Sequence, residues 1–210
     1  MTHFGIICPA LTGHLNPMTT LGHELQQRGH RVTLFGIPDA RSKTLAAGLE
    51  FWAIGEVSFP AGSSAVANTK LGELSGLDAF KQIVTMFNQS TTMLLDEAPQ
   101  AISAAGVEVL LIDQTSSGGS TVADYLKLPF VTVCCALMLN HEVGIPPFNT
   151  TWAYSPAWWA KLRNHFSYQL LARIVKPILN TVADRRQQWN LPPHIHPNDP
   201  FSKLKTCYQA

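Results

Sequence analysis

Five short, almost unbroken apolar runs, at residues 4–8, 31–35, 49–54, 107–112 and 130–135, alternate with stretches whose apolar residues recur at helical spacing. A strand buried on both faces shows no polar alternation, which is the pattern of a parallel sheet with helices on each side. Parallel neighbours cannot be joined by a tight turn, so each pair needs a crossover, and the helical stretches provide them. The alternation therefore predicts an α/β fold built on a doubly wound parallel sheet.

The first crossover is the most informative. Asn16 followed by Pro17 predicts a helix start, with Asn16 as N-cap and Pro17 at the first helical position. Leu15, Met18, Leu21 and Leu25 recur on one face, Gly22 permits a close approach to the sheet, and Gly29 stops the helix. Further along, residues 40–47 predict a short helix, 55–75 a long loop, 76–98 a helix weakened or ended by Pro99, and 118–127 another helix. Beyond residue 136 the strand pattern stops. A Pro-rich loop, a Trp-rich stretch at 152–159, one amphipathic helix over 167–189 and a tail without strong period follow. The expected organisation is a core over 1–140 and a loop and helical extension of the same domain over 141–210.

Composition narrows the function classes. A chain of 210 residues, 46% hydrophobic, can bury one sizeable core. A net charge of +1 without a run of Lys and Arg gives no reason to expect a nucleic-acid partner. Cys134 and Cys135 are adjacent within an apolar run, and no CxxC spacing occurs, so neither a disulfide framework nor a zinc site is expected. A reducing, cytoplasmic setting is the simplest expectation, with no basic and apolar leader at the start. No apolar stretch reaches the roughly 18 residues of a membrane span. GxGxxG, GxxxxGK[ST] and GxSxG are all absent, so dinucleotide binding, a P-loop and a nucleophile elbow lack support. His194, His196 and Asp199 form a loose polar group in a Pro-rich tail, read as solvated surface, and no metal or cofactor is expected.

Ligands of open α/β sheets lie beyond the carboxyl ends of the strands, where the strand order reverses. With the order 3-2-1-4-5, the flanking strands are the first and the fourth. The turn 9–14 follows one and Asp113 follows the other, so topology alone makes His14 and Asp113 neighbours. A helix start beside His14 disfavours a positive ring, which predicts a neutral imidazole competent as a base. A carboxylate would orient that base and stabilise it once protonated. Taken singly, such a histidine is ordinarily a cap or surface residue and such an aspartate an N-cap. Only their joint placement points to chemistry.

The turn TGHLNPM, with the helix ending QQRGHRVTLF, resembles the amino-terminal domain of UDP-sugar-dependent glycosyltransferases of the GT-B fold, which carry a GHxNP-type turn. Asp113 in VLLIDQ, the stretch LPFVTVCCALMLNHEVGIPP and the tail NDPFSKLKTCYQA are similar to the zeaxanthin (carotenoid) glucosyltransferase branch. The resemblance implies a Rossmann-like acceptor-binding domain and an inverting transfer, with His14 as base, Asp113 as its support, and Thr12 and Gly13 in a loop near the donor. UDP-glucose is the implied donor substrate, bound mainly by a second domain that these residues do not contain. Such chains are about twice as long, so the expectation is a piece of a longer chain or a natural half-protein, catalytically silent by itself.

Large aromatics mark the acceptor side. The loops 55–75 and 140–150, with Phe148, Trp152, Tyr154, Trp158 and Trp159, are expected to surround a groove for a small apolar hydroxylated acceptor, such as a carotenoid. The same aromatics also suit packing of the extension against the sheet. Lys161 and Arg163 beside the tryptophans add an expected peripheral contact with a membrane surface. Two other readings stay open: a binding module for an apolar ligand without chemistry, and a GT-B enzyme acting on a macrolide, flavonoid or sterol.

Overall fold

The apolar runs form one five-stranded parallel sheet in the order β3-β2-β1-β4-β5. The strands are β1 (His3–Ile7), β2 (Arg31–Gly36), β3 (Glu50–Ala53), β4 (Val109–Asp113) and β5 (Phe130–Val133). The computed structural model describes residues 1–203, so residues 204–210 of the tail segment NDPFSKLKTCYQA lie outside the described residues. Side chains alternate across the sheet, and both faces are apolar, as the unbroken runs require. Ile6, Val32, Leu34 and Leu111 face one core with Leu15 and Met18, whereas Phe35, Leu110 and Ile112 face the other with Leu95, Ile102 and Val122.

Helix α1 (Thr12–Gln27) covers the first face. It begins earlier than Asn16 predicts, with Leu11 at the N-cap and Pro17 inside the helix. Burial of Leu15 and Met18 draws the preceding turn into the helix, and Pro17 forgoes only a bond to the carbonyl of exposed Gly13. Gly22 packs as expected. A Cβ there would come 2.7 Å from Leu49 and 3.0 Å from Ile6.

The short helix after β2 is a 3-10 turn, Pro38–Ala40, running into α2 (Arg41–Ala46). The predicted loop 55–75 is not all loop, for it contains α3 (Ser63–Gly72). Its N-terminal amides donate to a remote carboxylate: Asp39 accepts from Gly62 N at 2.6 Å and Ser64 N at 2.7 Å. A cap this distant in sequence leaves no local start signal.

Helix α4 (Gly76–Ala105) covers the second face and passes through Pro99 instead of ending there. Pro99 removes the N–H that would bond the carbonyl of Leu95. That carbonyl is taken by Arg185, whose Nη1 donates to it at 3.0 Å. Helix α5 (Gly119–Leu126) follows β4.

The amphipathic helix predicted over 167–189 is two helices, α6 (Trp158–Ile174) and α7 (Lys176–Gln188). Pro177 breaks the continuity, because it cannot donate to the carbonyl of Arg173 and its ring displaces it. Helix α7 lies against α4 and α5. Arg186, buried, donates to Asp124 at 2.7 Å, to Thr121 at 3.1 Å and to the carbonyl of Pro192 at 2.8 Å. Ser202 exchanges hydrogen bonds with Thr132 of β5 at 3.0 and 2.9 Å. No helix among the described residues is long and apolar enough to cross a membrane.

Candidate active site

β1 and β4 are neighbours in register, with Ile7 opposite Ile112. Chain order reverses between them, since β1 leads outward to β2 and β3 before the chain crosses to β4. Past β1 the chain turns at Pro9 and enters α1, so His14 occupies the first turn of that helix, not a loop before it. Asp113 is the last residue of β4 and is fully buried. His14 Nδ1 and Asp113 Oδ2 are 2.8 Å apart.

Every polar atom of Asp113 has a partner. Oδ1 accepts from the Thr115 amide at 2.8 Å and the Thr115 hydroxyl at 2.5 Å, while Oδ2 faces His14. Burial alone would raise the Asp113 pKa, but the bonds from His14 and Thr115 outweigh it and hold the carboxyl below its ordinary range. An ionised carboxylate only accepts, so in the neutral ring the His14 proton sits on Nδ1 and the lone pair on Nε2. The bond from Asp113 raises the His14 pKa above its ordinary 6.5, against the opposing effect of burial. The direct carboxylate contact thus acts against the helix start, drawing the His14 pKa upward.

Thr115 and Cys135 complete the site, and neither was singled out from sequence. Cys135 follows β5 at the same sheet edge, and one side-chain atom each of His14, Asp113 and Cys135 lie within 4.8 Å of one another. Burial first, and then Asp113, push the Cys135 thiol up to about 12, so it stays protonated near neutral pH. Cys8 is shifted upward by the same causes. Gln114 holds the chain after β5, donating to the Leu137 carbonyl at 2.8 Å and accepting from the Leu139 amide at 3.1 Å. The signal for these residues was position: each lies just past the carboxyl end of a strand.

The turns that follow β1 and β4 also line a mostly apolar cavity of about 100 Å³, which neither His14 nor Asp113 lines. Cys8, Pro9 and Thr115 line it together with Ile54 and, from α4, Phe87 and Met93. The segments that carry the His14–Asp113 pair thus also form the cavity. Thr12 and Gly13 are exposed at the start of α1, in a helical turn where a loop was expected, and the Thr12 hydroxyl accepts from Lys43 at 2.7 Å. Phe148, Trp152, Trp158 and Trp159 are exposed and do not line this cavity. Trp152 and Trp159 pack instead on the Arg163 guanidinium, 4.3 and 5.5 Å from their ring centroids. Asp199 accepts from the amides of Ile195 and His196, both at 2.7 Å, and so closes a turn in the polar tail.

The topology, the switch-point crevice and the His-Asp contact can be set beside known proteins. No family model matches the chain. The chain is 29% identical over 212 residues to the zeaxanthin glucosyltransferase of Pantoea ananas, covering 100% of the chain and 48% of that protein. It is 28% identical over 211 residues to the zeaxanthin glucosyltransferase of Pseudescherichia vulneris, covering 100% of the chain and 49% of that protein. Among solved structures, the glycosyltransferase of kitacinnamycin superposes with a TM-score of 0.61 at 15% identity, over 94% of this chain and 43% of that one. CalG4, the calicheamicin glycosyltransferase, gives 0.59 at 18% identity, over 91% and 42%. The fold is the Rossmann-like α/β fold of GT-B glycosyltransferases.

The chain spans about half the length of the curated relatives it matches. The Streptomyces glycosyltransferase SsfS6, complexed with thymidine diphosphate, shares the fold with a TM-score of 0.55 at 15% identity, over 93% of this chain and 48% of that one. Within this fold, the crevice between β1 and β4 holds the His14–Asp113 pair.

Proposed function

We propose that this chain is the acceptor-binding half of an inverting glycosyltransferase that glucosylates a hydroxylated apolar acceptor from a UDP-sugar. The observation that carries the reading is the 2.8 Å contact between His14 Nδ1 and buried Asp113 at the switch point. Asp113 orients the ring and leaves Nε2 basic. As an acceptor hydroxyl attacks the anomeric carbon, Nε2 takes its proton, the bond from that carbon to the diphosphate oxygen breaks, and the nucleoside diphosphate departs with the electron pair. Asp113 then stabilises the imidazolium. A positioned base of this kind contributes roughly 10²- to 10⁴-fold in rate.

The mostly apolar cavity formed past the ends of β1 and β4 supports an apolar acceptor, and similarity of the whole chain to about half of each of two zeaxanthin glucosyltransferases supports a carotenoid. Phe148, Trp152, Trp158 and Trp159 extend the acceptor surface outside the cavity. Thr12 and Gly13, exposed in the first turn of α1 where amides lack intrahelical partners, face the donor. A thymidine diphosphate complex of a GT-B neighbour supports a nucleoside diphosphate donor. The bonds of Arg185, Arg186 and Ser202 to the core support 141–210 as an extension of the domain formed by 1–140.

The test is transfer from UDP-glucose to zeaxanthin, measured for the intact transferase and for His14→Ala. Expected is loss of product with acceptor binding retained. Unchanged turnover in His14→Ala overturns the base assignment. The 210-residue chain by itself is expected to give no product, and turnover at the rate of the intact enzyme refutes the division of labour.

A further inference from the structure

Helix α6 has two faces of different character. Its inner face is held by buried Ala160 and Asn164, the latter donating to the Val143 carbonyl at 3.1 Å. On the opposite side Trp158, Leu162, Phe166 and Leu170 recur every fourth residue and form one continuous stripe. They are 76%, 48%, 61% and 58% exposed. Soluble surfaces seldom carry such a row of large apolar side chains without a partner.

Charge identifies the partner. From residue 143 to residue 183 the chain contains no Asp or Glu, while Lys161, Arg163, Arg173 and Lys176 are all basic. Lys161 and Arg173 are exposed on α6 itself. Two copies meeting through this face would set these cations against each other, which disfavours self-association. An anionic lipid surface satisfies both features, because apolar side chains enter the acyl boundary while Lys and Arg stay at headgroup depth. We propose that the exposed face of α6 docks the protein on an anionic bilayer surface. The helix lies in the interface and does not span it, in line with the lack of any spanning helix among the described residues. The docking is independent of the transfer reading, although it would bring the domain to the phase in which an apolar acceptor dissolves.

The experiment is cosedimentation of the chain with vesicles of phosphatidylcholine alone or mixed with phosphatidylglycerol, at low and high salt, without donor or acceptor. Expected is binding to the anionic vesicles that is released by salt. The triple variant Trp158→Ala, Phe166→Ala, Leu170→Ala is expected to bind about tenfold or more weakly. The pair Lys161→Glu, Arg173→Glu is expected to lose at least roughly fivefold for each cation removed. Leu45→Ala, at an equally exposed leucine on α2, is the control and is expected to bind normally. All these side chains are exposed, so unchanged circular dichroism and melting separate a docking defect from misfolding. No binding to anionic vesicles at low salt, or equal binding by the triple variant, overturns the proposal. A concentration-dependent dimer in light scattering that the triple variant abolishes also overturns it, by assigning the face to a second copy.

Discussion

Replacing Asp113 by Asn keeps the shape of the side chain but removes its charge and turns one acceptor into a donor. The Thr115 amide and hydroxyl retain a carbonyl oxygen as partner, so the whole perturbation falls on the His14 bond at 2.8 Å. Two donors would then face each other, and the imidazole must move its proton to Nε2, the atom needed as base. Hydrogen bonds to charged groups are worth about 1.5–3 kcal/mol. Asp113 is fully buried and the His14 side chain is 16% exposed, so water screens little of it. The His14 pKa is raised in the folded protein, so its contribution to stability is fully present below 6.5 and lost as pH rises through the folded value. The Asp113 pKa is lowered, so its contribution is present above 3.8 and lost as pH falls through its folded value. Urea unfolding of both proteins at about pH 5.5 and about pH 9 measures the difference. Asp113→Asn is expected to cost about 1.5–3 kcal/mol at the lower pH and clearly less at the higher. An equal cost at both pH values, or a larger one at pH 9, refutes the charged-pair account.

Arg185→Met leaves the Leu95 carbonyl without its donor, with an expected loss of about 1–3 kcal/mol in urea unfolding. Pro99→Ala restores the helical N–H, so it should stabilise the Arg185→Met protein more than the wild type, and a double-mutant cycle with no coupling refutes the link. Gly22→Ala places a Cβ 2.7 Å from Leu49 and is expected to cost about 1–3 kcal/mol by thermal melting. Gly13→Ala meets nothing within 4 Å and is expected to be neutral or stabilising by up to about 1 kcal/mol.

Much of the frame was legible because it rests on burial. Strands covered on both faces must be apolar throughout, and the five runs could be read on that ground alone. The errors came where long-range bonds replaced local signals. Asp39 caps α3 from an earlier turn, and Arg185 relieves α4 of the consequence of Pro99. Each partner is distant in the chain, and nothing in the local pattern announces it.

For the site, strand order alone brought His14 and Asp113 together, since any chain that alternates strand and crossover in this order sets the ends of its first and fourth strands side by side. The protonation of the pair belongs to the tertiary structure. It depends on which oxygen of Asp113 faces His14, on the two bonds from Thr115 and on how little water reaches them. The same holds for the aromatic segment. Its composition was plain in the sequence, but only packing shows that Asn164 turns inward and Trp158, Leu162, Phe166 and Leu170 outward. A repeat of apolar residues along a helix defines a stripe, and what lies against the helix decides whether that stripe becomes core or surface.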